Sequence, residues 1–200
     1  MVMVRVPFVM VAVLVTAAIA FAAPFDFAQA KPAAAGAQTS PAPEISVTEA
    51  AGVFRVTATF TVPASRGAVT SVLTDYERIP HFMPDVKSSQ VVERTESGLV
   101  VEQEAAAKFM MFSKRIHLVL DVSEDRGTIR FRDRCKKSFE HYEGVWRLSG
   151  GEAATTVVYE LSTKPSFEVP AFVLKRLLKR DAAAMIERLH DEMLSRAATR

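Results

Sequence analysis

Histidines and carboxylates are the residues of this chain that could carry acid–base or metal chemistry. None of them stands in a spacing typical of a known reaction: the sequence has no H-x-x-x-H metal pair, no G-x-S-x-G nucleophile elbow and no glycine-rich phosphate loop. We therefore assign no catalytic residue, no metal ligand and no cofactor. The side chains considered are His81, His117, His141, His190, Asp75, Glu77, Glu102, Glu104, Asp121, Asp133 and Glu140.

Cysteine usage and net charge exclude further classes of function. Cys135 is the only cysteine, so neither an intrachain disulfide nor a thiolate metal cluster can form, and we interpret it as a half-buried small apolar residue. The formal net charge is +2 at pH 7. Non-specific nucleic-acid binding needs a concentrated basic surface, because phosphate neutralisation supplies most of its affinity. We therefore expect no nucleic-acid partner.

The first thirty residues have the pattern of an export signal. Arg5 precedes an almost wholly apolar stretch that runs from Phe8 to Ala23, and A-x-A cleavage patterns end at Ala22 and Ala30. The stretch is at the short end for a membrane span of about 20 residues. We predict a cleaved signal peptide over residues 1–30 and an exported, periplasmic protein, with a retained membrane anchor as the alternative. Residues 31–50, rich in alanine and proline at their start, are predicted to form a disordered linker.

Residues 51–197 are predicted to form one α+β domain. Apolar and polar residues alternate strictly from Val53 to Val62, which is typical of a half-buried strand, and Ser65 is placed to cap the helix that follows. Apolar residues recur at helical spacing from Val169 to Ser195, which predicts one long amphipathic helix with Pro170 in its first turn. Between them, strand patterns separated by turn residues cover 86–93, 99–107, 113–122, 128–134, 142–148 and 155–163.

The segment from Leu73 to Val86, LTDYERIPHFMPDV, interrupts this pattern after the first helix. Pro80 and Pro84 prevent a long helix here, because proline lacks an amide donor and restricts the residue before it. A second short helix or a turn is therefore predicted. We interpret Asp75 and Glu77 as residues that cap or solvate the helix end.

This motif resembles D-x-E-x-x-P-x-F-x-P-x-V of the polyketide cyclase/dehydrase and coenzyme Q-binding START-like families. Both belong to the SRPBCC superfamily, which includes the START and birch-pollen-allergen proteins. The resemblance covers roughly residues 50–196 and includes the proline-punctuated segment from Lys164 to Pro170. It implies a helix-grip fold: a curved antiparallel sheet of about seven strands, with two short helices after the first strand, wraps around a long C-terminal helix. In the family, the space between sheet and helix is the ligand site.

Two sets of apolar residues are the candidate binding residues. The first set, from the second short helix, the strands and the last helix, would line the cavity: Phe82, Met83, Phe131, Trp146, Tyr159, Phe172, Leu178 and Met185. The second would form an apolar hairpin between cations, acting as a gate or a membrane contact: Phe109, Met110, Met111 and Phe112. For both sets ordinary core packing is the alternative, and alternation does not decide which strand face is concave.

We expect a monomeric, exported binder or carrier of a hydrophobic small molecule, either a lipid or a quinone-like isoprenoid. Transient contact with an anionic membrane is a further expectation, since each clustered Lys or Arg near such a surface contributes about 1 kcal/mol. Solvated charge is the alternative. Two other functions stay open: a cyclase, aromatase or dehydratase that uses the same cavity, and an envelope module for protein interaction. The basic clusters are Arg130, Arg132 and Arg134 on a strand, and Lys175, Arg176, Lys179 and Arg180 on the last helix.

Overall fold

The computed structural model describes residues 42–109 and 112–199. These residues form an eight-stranded sheet, three α-helices and one 3₁₀ turn, and no described helix has the length and apolarity to cross a membrane. The strands are β1 Glu44–Ala50, β2 Val53–Val62, β3 Val86–Thr95, β4 Gly98–Phe109, β5 Phe112–Asp125, β6 Thr128–Asp133, β7 Phe139–Gly150 and β8 Thr155–Pro165. The helices are α1 Arg66–Leu73, α2 Ile79–Phe82 and α3 Ala171–Ala198, with the 3₁₀ turn at Tyr76–Arg78.

The sheet is antiparallel throughout, in the order β1-β2-β8-β7-β6-β5-β4-β3. Strands β3 to β8 form a meander. Strand β2 pairs with β8, and β1 pairs with β2 at the edge of the sheet. Ala58 lies opposite Tyr159 and Tyr159 lies opposite Trp146, so all three side chains share one face, the inner one. The predicted helix-grip fold is confirmed, with eight strands instead of about seven.

Strand β1 corrects the predicted linker. Residues 44–50 lie within the segment predicted to be disordered, yet they pair along their whole length with β2. Ile45 and Val47 pack against the core on one side of the strand, and the residues between them face solvent. A tight turn joins the two strands at Ala51 and Gly52, which both have positive φ, as two-residue hairpin turns require. The rest of the predicted linker up to residue 41, and the predicted signal peptide, lie outside the described residues.

Helix α1 begins as the sequence predicts. The Ser65 hydroxyl accepts a hydrogen bond from the Ala68 amide at 3.2 Å, which is the N-cap interaction. Helix α3 begins at Ala171, one residue after Pro170, so the proline precedes the first turn that it was predicted to occupy.

Helix α3 packs on β1, β2 and α1. Its C-terminal end is tied to the first helix by Arg196, which donates hydrogen bonds to the Asp75 carboxylate at 2.7 Å and to the Ser71 carbonyl at 3.2 Å. Asp75 makes no capping hydrogen bond. Of the two roles predicted for Asp75, to cap or to solvate the helix end, side-chain capping is therefore wrong, and the carboxylate anchors α3. The buried face of α3 consists of Ala182, Ile186, Leu189 and Met193.

The buried apolar side chains form two clusters under the inner face of the sheet. The first joins α1 and α3 to β2 and β8, and the second joins the 3₁₀ turn to β4, β5 and β6 without any residue of α3. Phe131, Tyr142 and Trp146 pack against both clusters. The two clusters therefore meet along strands β6 and β7.

Candidate functional site

A cavity of about 590 Å³ lies between the inner face of the sheet and α3. This volume is within the range of about 300–1,000 Å³ that small-molecule sites occupy. Its walls come from α1, the 3₁₀ turn, α2, strands β3 to β8 and the middle of α3. Most of the lining side chains are aliphatic or aromatic, so the cavity suits an apolar occupant.

Aromatic rings form the floor of the cavity along β6, β7 and β8. Trp146, the only tryptophan of the chain, stacks on Tyr159 with ring centroids 4.2 Å apart. Tyr142 lies 5.9 Å from Phe131 and 4.9 Å from Phe139, again between ring centroids. Offset and tilted ring pairs at these distances are mutually stabilising. The floor is therefore a row of packed rings instead of flexible aliphatic chains.

Gly144 makes this arrangement possible. It lies directly opposite Phe131 in the sheet, and a Cβ atom at this position would collide with the Phe131 ring and with the Glu160 carbonyl oxygen. Because Gly144 has no side chain, the Phe131 ring lies over strand β7 at the position of the glycine, between Tyr142 and Trp146 on that strand. The glycine thus keeps the phenylalanine against the sheet and out of the cavity.

All three tyrosines of the chain line the cavity, but they differ in their hydrogen bonds. The Tyr76 hydroxyl donates to Glu124 at 2.7 Å. The hydroxyls of Tyr142 and Tyr159 have no hydrogen-bond partner among the described residues. Burial, with a smaller effect of the Asp133 charge, raises the pKa of Tyr142 to about 12, and burial also raises the pKa of Tyr159 well above its usual value. Both phenols are therefore protonated at neutral pH.

Among the described lining residues, the four charged ones lie at the rim of the cavity. Arg188 binds Asp85 at 3.1 Å and Arg180 binds Asp181 at 2.8 Å, and the side chains of all four are between 37% and 59% exposed. The rim is formed by α3, by the residues that follow α2, and by β4. On β4, the Gln103 side-chain amide donates a hydrogen bond to the Ser89 hydroxyl at 3.0 Å. A ligand entering here would pass neutral ion pairs before it reaches the apolar interior.

The predicted wall residues fall into three groups. Six of the eight line the cavity, and Leu178 is partly buried but packs against the first apolar cluster. Phe172 is 76% exposed, so its prediction as a wall residue is wrong. It lies in the first turn of α3, whereas the buried residues of that helix begin at Ala182. The six lining residues are Phe82, Met83, Phe131, Trp146, Tyr159 and Met185, and their role in ligand binding stays a prediction.

Several residues that line the cavity were not predicted from the sequence. Tyr76 stands in the proline-rich motif and Tyr142 follows the same alternation as Trp146, so both could have been found from the pattern. Gln103, Ala106, Ala107 and the rim charges carry no such signal, because small and polar residues on a strand are equally common at a surface.

The hairpin predicted as a gate lies only partly in the described chain. Phe109 and Phe112 face each other as the last pair between β4 and β5. Met110 and Met111 lie outside the described residues. Ala106 and Ala107, a few residues earlier on β4, line the cavity, so this end of the β4–β5 hairpin is close to it. The gate stays a prediction.

The candidate acid–base residues are placed away from the cavity. None of the four histidines is among the cavity-lining residues that the structure describes. His117 lies 3.6 Å from Glu102 and 4.0 Å from Glu104, both on β4. Asp133 accepts hydrogen bonds from three backbone amides, at 2.9 to 3.3 Å, which gives it a structural role. Within the described ranges, no three His, Cys, Asp or Glu side chains are grouped so that they could hold a metal ion.

The predicted basic stripe on β6 faces outward. Arg132 binds Glu143 at 2.9 Å, and Arg134 lies 3.3 Å from Asp121 and 3.4 Å from Glu93. These charges line a broader concavity of about 750 Å³ on the outer face. Its lining combines exposed arginines with acidic groups and is less apolar than that of the inner cavity, so we take the inner cavity as the candidate site.

Comparison with known proteins gives one family and many related folds. The sequence model of the family described as polyketide cyclase/dehydrase and lipid transport matches residues 62–190. That range contains α1, the proline-rich motif, strands β3 to β8 and most of α3. A search of curated proteins finds no match.

Solved structures with low sequence identity share the fold. A STAR-related lipid transfer protein from Xanthomonas axonopodis is 16% identical, with a TM-score of 0.63 over 78% of this chain and 96% of that one. A START superfamily protein from Mycobacterium smegmatis is 18% identical, with a TM-score of 0.61 over 70% and 97%. The Zhui aromatase/cyclase from Streptomyces sp. R1128 is 18% identical, with a TM-score of 0.60 over 72% and 95%.

The contact between Gly144 and Phe131 gives a direct prediction. We expect Gly144→Ala to lower the free energy of unfolding by about 1–3 kcal/mol, as overpacking of a filled site does, and to push the Phe131 ring into the cavity. Urea denaturation measures the first effect. Gly151→Ala is the matched control, because its Cβ meets nothing within 4 Å. Equal stability of the two variants would contradict the assigned role of Gly144.

Proposed function

The chain belongs to the family described as polyketide cyclase/dehydrase and lipid transport, and we propose that it binds and carries one hydrophobic small molecule. The ligand class is a lipid or a quinone-like molecule, and its site is the cavity between the sheet and α3. The observation that carries the proposal is the cavity itself: about 590 Å³, with apolar and aromatic walls and charges only at the rim. Burial of apolar ligand surface there contributes about 25 cal/mol per Å².

Binding is a better account than catalysis because of the groups that line the cavity. The rim carboxylates of Asp85 and Asp181 are ion-paired with arginines, and both unpartnered tyrosines are held protonated. A general base needs a group that can take up a proton near neutral pH, close to the reacting atom. The described lining offers no such group. Because a lipid transfer protein and an aromatase/cyclase share the fold, the fold alone does not choose between the two functions.

A large side chain introduced into the cavity should weaken ligand binding. Ala184 lines the cavity from α3, whereas its neighbour Ala183 is exposed. We expect Ala184→Phe to weaken binding of the neutral apolar dye N-phenyl-1-naphthylamine at least about tenfold, because a phenyl ring takes up space that the dye needs. Dye fluorescence in a titration of purified protein measures this.

Ala183→Phe is the matched control and should bind the dye like the wild type. Dye binding that is absent from the wild type, or equal in wild type and Ala184→Phe, would overturn the proposal. Denaturation curves of both variants verify that they are folded.

The hairpin from Phe109 to Phe112 is proposed as the gate, and as the part that touches an anionic membrane. Its support is the position of Ala106 and Ala107 on the cavity wall and the cations at Lys108, Lys114 and Arg115. Clustered cations next to apolar side chains favour an anionic lipid surface.

The triple substitution Phe109→Ser, Met111→Ser and Phe112→Ser should slow ligand transfer between anionic liposomes several-fold while dye binding in solution persists. Val92→Ser is the control, because Val92 is a 49% exposed apolar residue on β3. Transfer at the wild-type rate in the triple variant would exclude the gate.

We propose the cell envelope as the place of action. The support is the sequence of residues 1–30, with its basic start, apolar core and A-x-A endings. The protein recovered from an envelope fraction should have lost residues 1–22 or 1–30 when its intact mass is measured. Full-length protein confined to the cytoplasm would contradict export.

A further inference from the structure

Two tyrosine hydroxyls at the cavity make no hydrogen bond within the described part of the chain. Tyr159 is 5% exposed and Tyr142 is half-buried, and both line the cavity. Neither hydroxyl has a hydrogen-bond partner among the described residues, and neither oxygen is fully buried, whereas the Tyr76 hydroxyl is bound to Glu124. Both hydroxyls are therefore free to bond water or a ligand that occupies the cavity.

We propose that Tyr142 and Tyr159 are the polar anchors of the cavity and that they select neutral ligands with oxygen-bearing groups, carbonyl oxygens above all. The two residues lie on neighbouring strands, β7 and β8, and share the inner face of the sheet with Trp146. A ligand that lies on the aromatic floor would therefore pass close to their hydroxyls. This inference rests on the proposed function, because it assigns the chemistry of the same site.

The interior of the cavity also limits the charge that a ligand can carry. The described lining has no cation and no carboxylate away from the rim, where both arginines are paired with aspartates. Moving an isolated charge from water into such an interior is strongly unfavourable, since nothing there compensates its lost hydration. A fatty acid carboxylate, a phosphate or an ammonium group would therefore stay at the rim or outside. A neutral carbonyl oxygen loses much less hydration energy, and a hydrogen bond accepted from a phenol offsets that loss.

Protonation supports the direction of these hydrogen bonds. Burial raises the pKa of both phenols, so each carries its proton at neutral pH and can donate it to a ligand oxygen. Asp133, whose charge acts on Tyr142, does not compete for this proton, because its carboxylate is held by backbone amides. The hydroxyls remain available to a ligand.

Three planar probes of nearly equal size test the selection. Fluorene and 9-fluorenone differ only in a methylene and a carbonyl group, and fluorene-2-carboxylate adds a charge. Each probe competes with N-phenyl-1-naphthylamine, whose affinity is measured separately for every variant. Quenching of Trp146, the only tryptophan, by fluorenone reports whether that probe lies against the aromatic floor.

The wild type should bind fluorenone about 3- to 10-fold more tightly than fluorene, as expected for the net gain of one hydrogen bond. The carboxylate should bind at least about tenfold more weakly than fluorenone. In the double variant Tyr142→Phe/Tyr159→Phe, the affinity for fluorenone should fall to about that for fluorene or below it, while the affinity for fluorene stays at the wild-type value. Thr57→Val is the control for the loss of a hydroxyl and should retain the wild-type preference, because Thr57 lies on the outer face of β2 and does not line the cavity.

The outcomes separate this inference from the proposed function. If fluorene and fluorenone bind equally well to the wild type, or if the double variant keeps the preference, the tyrosines are not the anchors, although the cavity still binds apolar molecules. Binding of the carboxylate as tightly as fluorenone would overturn the selection for neutral ligands. Failure of the dye and of all three probes to bind would overturn the proposed function itself.

Discussion

One helix has to cover the inner face of an eight-stranded sheet, and it is too narrow to do so. Strands lie about 4.8 Å apart, so eight of them span about 34 Å before curvature, whereas a helix with its side chains is about 10–12 Å wide. Helix α3 packs on β1, β2 and α1, and it contributes nothing to the apolar cluster on β4, β5 and β6. The two clusters meet at Phe131, Tyr142 and Trp146 on the sheet, and the cavity is the space that remains above these residues.

Two interactions of the proline-rich motif hold this geometry. Asp75 binds Arg196 and thereby fixes the end of α3 against α1. Its neighbour Tyr76 packs in the second apolar cluster and donates a hydrogen bond to Glu124 on β5. The motif therefore connects the covered and the uncovered half of the sheet and closes the cavity between them. Its charged and polar side chains act on structure, and its apolar residues Phe82 and Met83 form wall.

The fold could be predicted from the sequence because its signals are local. Alternation identified β2 to β8, and the 3.6-residue period identified α3. Strand β1 was missed because only Ile45 and Val47 mark its apolar side, next to a stretch of alanine and proline. The error at Phe172 has a different cause: the period shows which face of a helix is apolar, and not where along the helix the sheet begins.

The site was less predictable because it depends on partners far apart in the sequence. Aromatic residues on strands suggested most of the wall, but the role of Gly144 becomes visible only when Phe131 is placed across it. The hydrogen bond of Tyr76 joins residues 48 positions apart, so no local pattern distinguishes it from Tyr142 and Tyr159. That difference between three identical side chains is what gives the cavity a chemical preference.

Native mass spectrometry of the protein purified from its own cells tests most directly whether this cavity is a ligand site. The account predicts that the wild-type protein carries one neutral, largely apolar molecule per chain, which organic solvent releases and which reduces dye binding until it is removed. A protein that is free of any such molecule, and that takes none up from a lipid extract of the same cells, would contradict it.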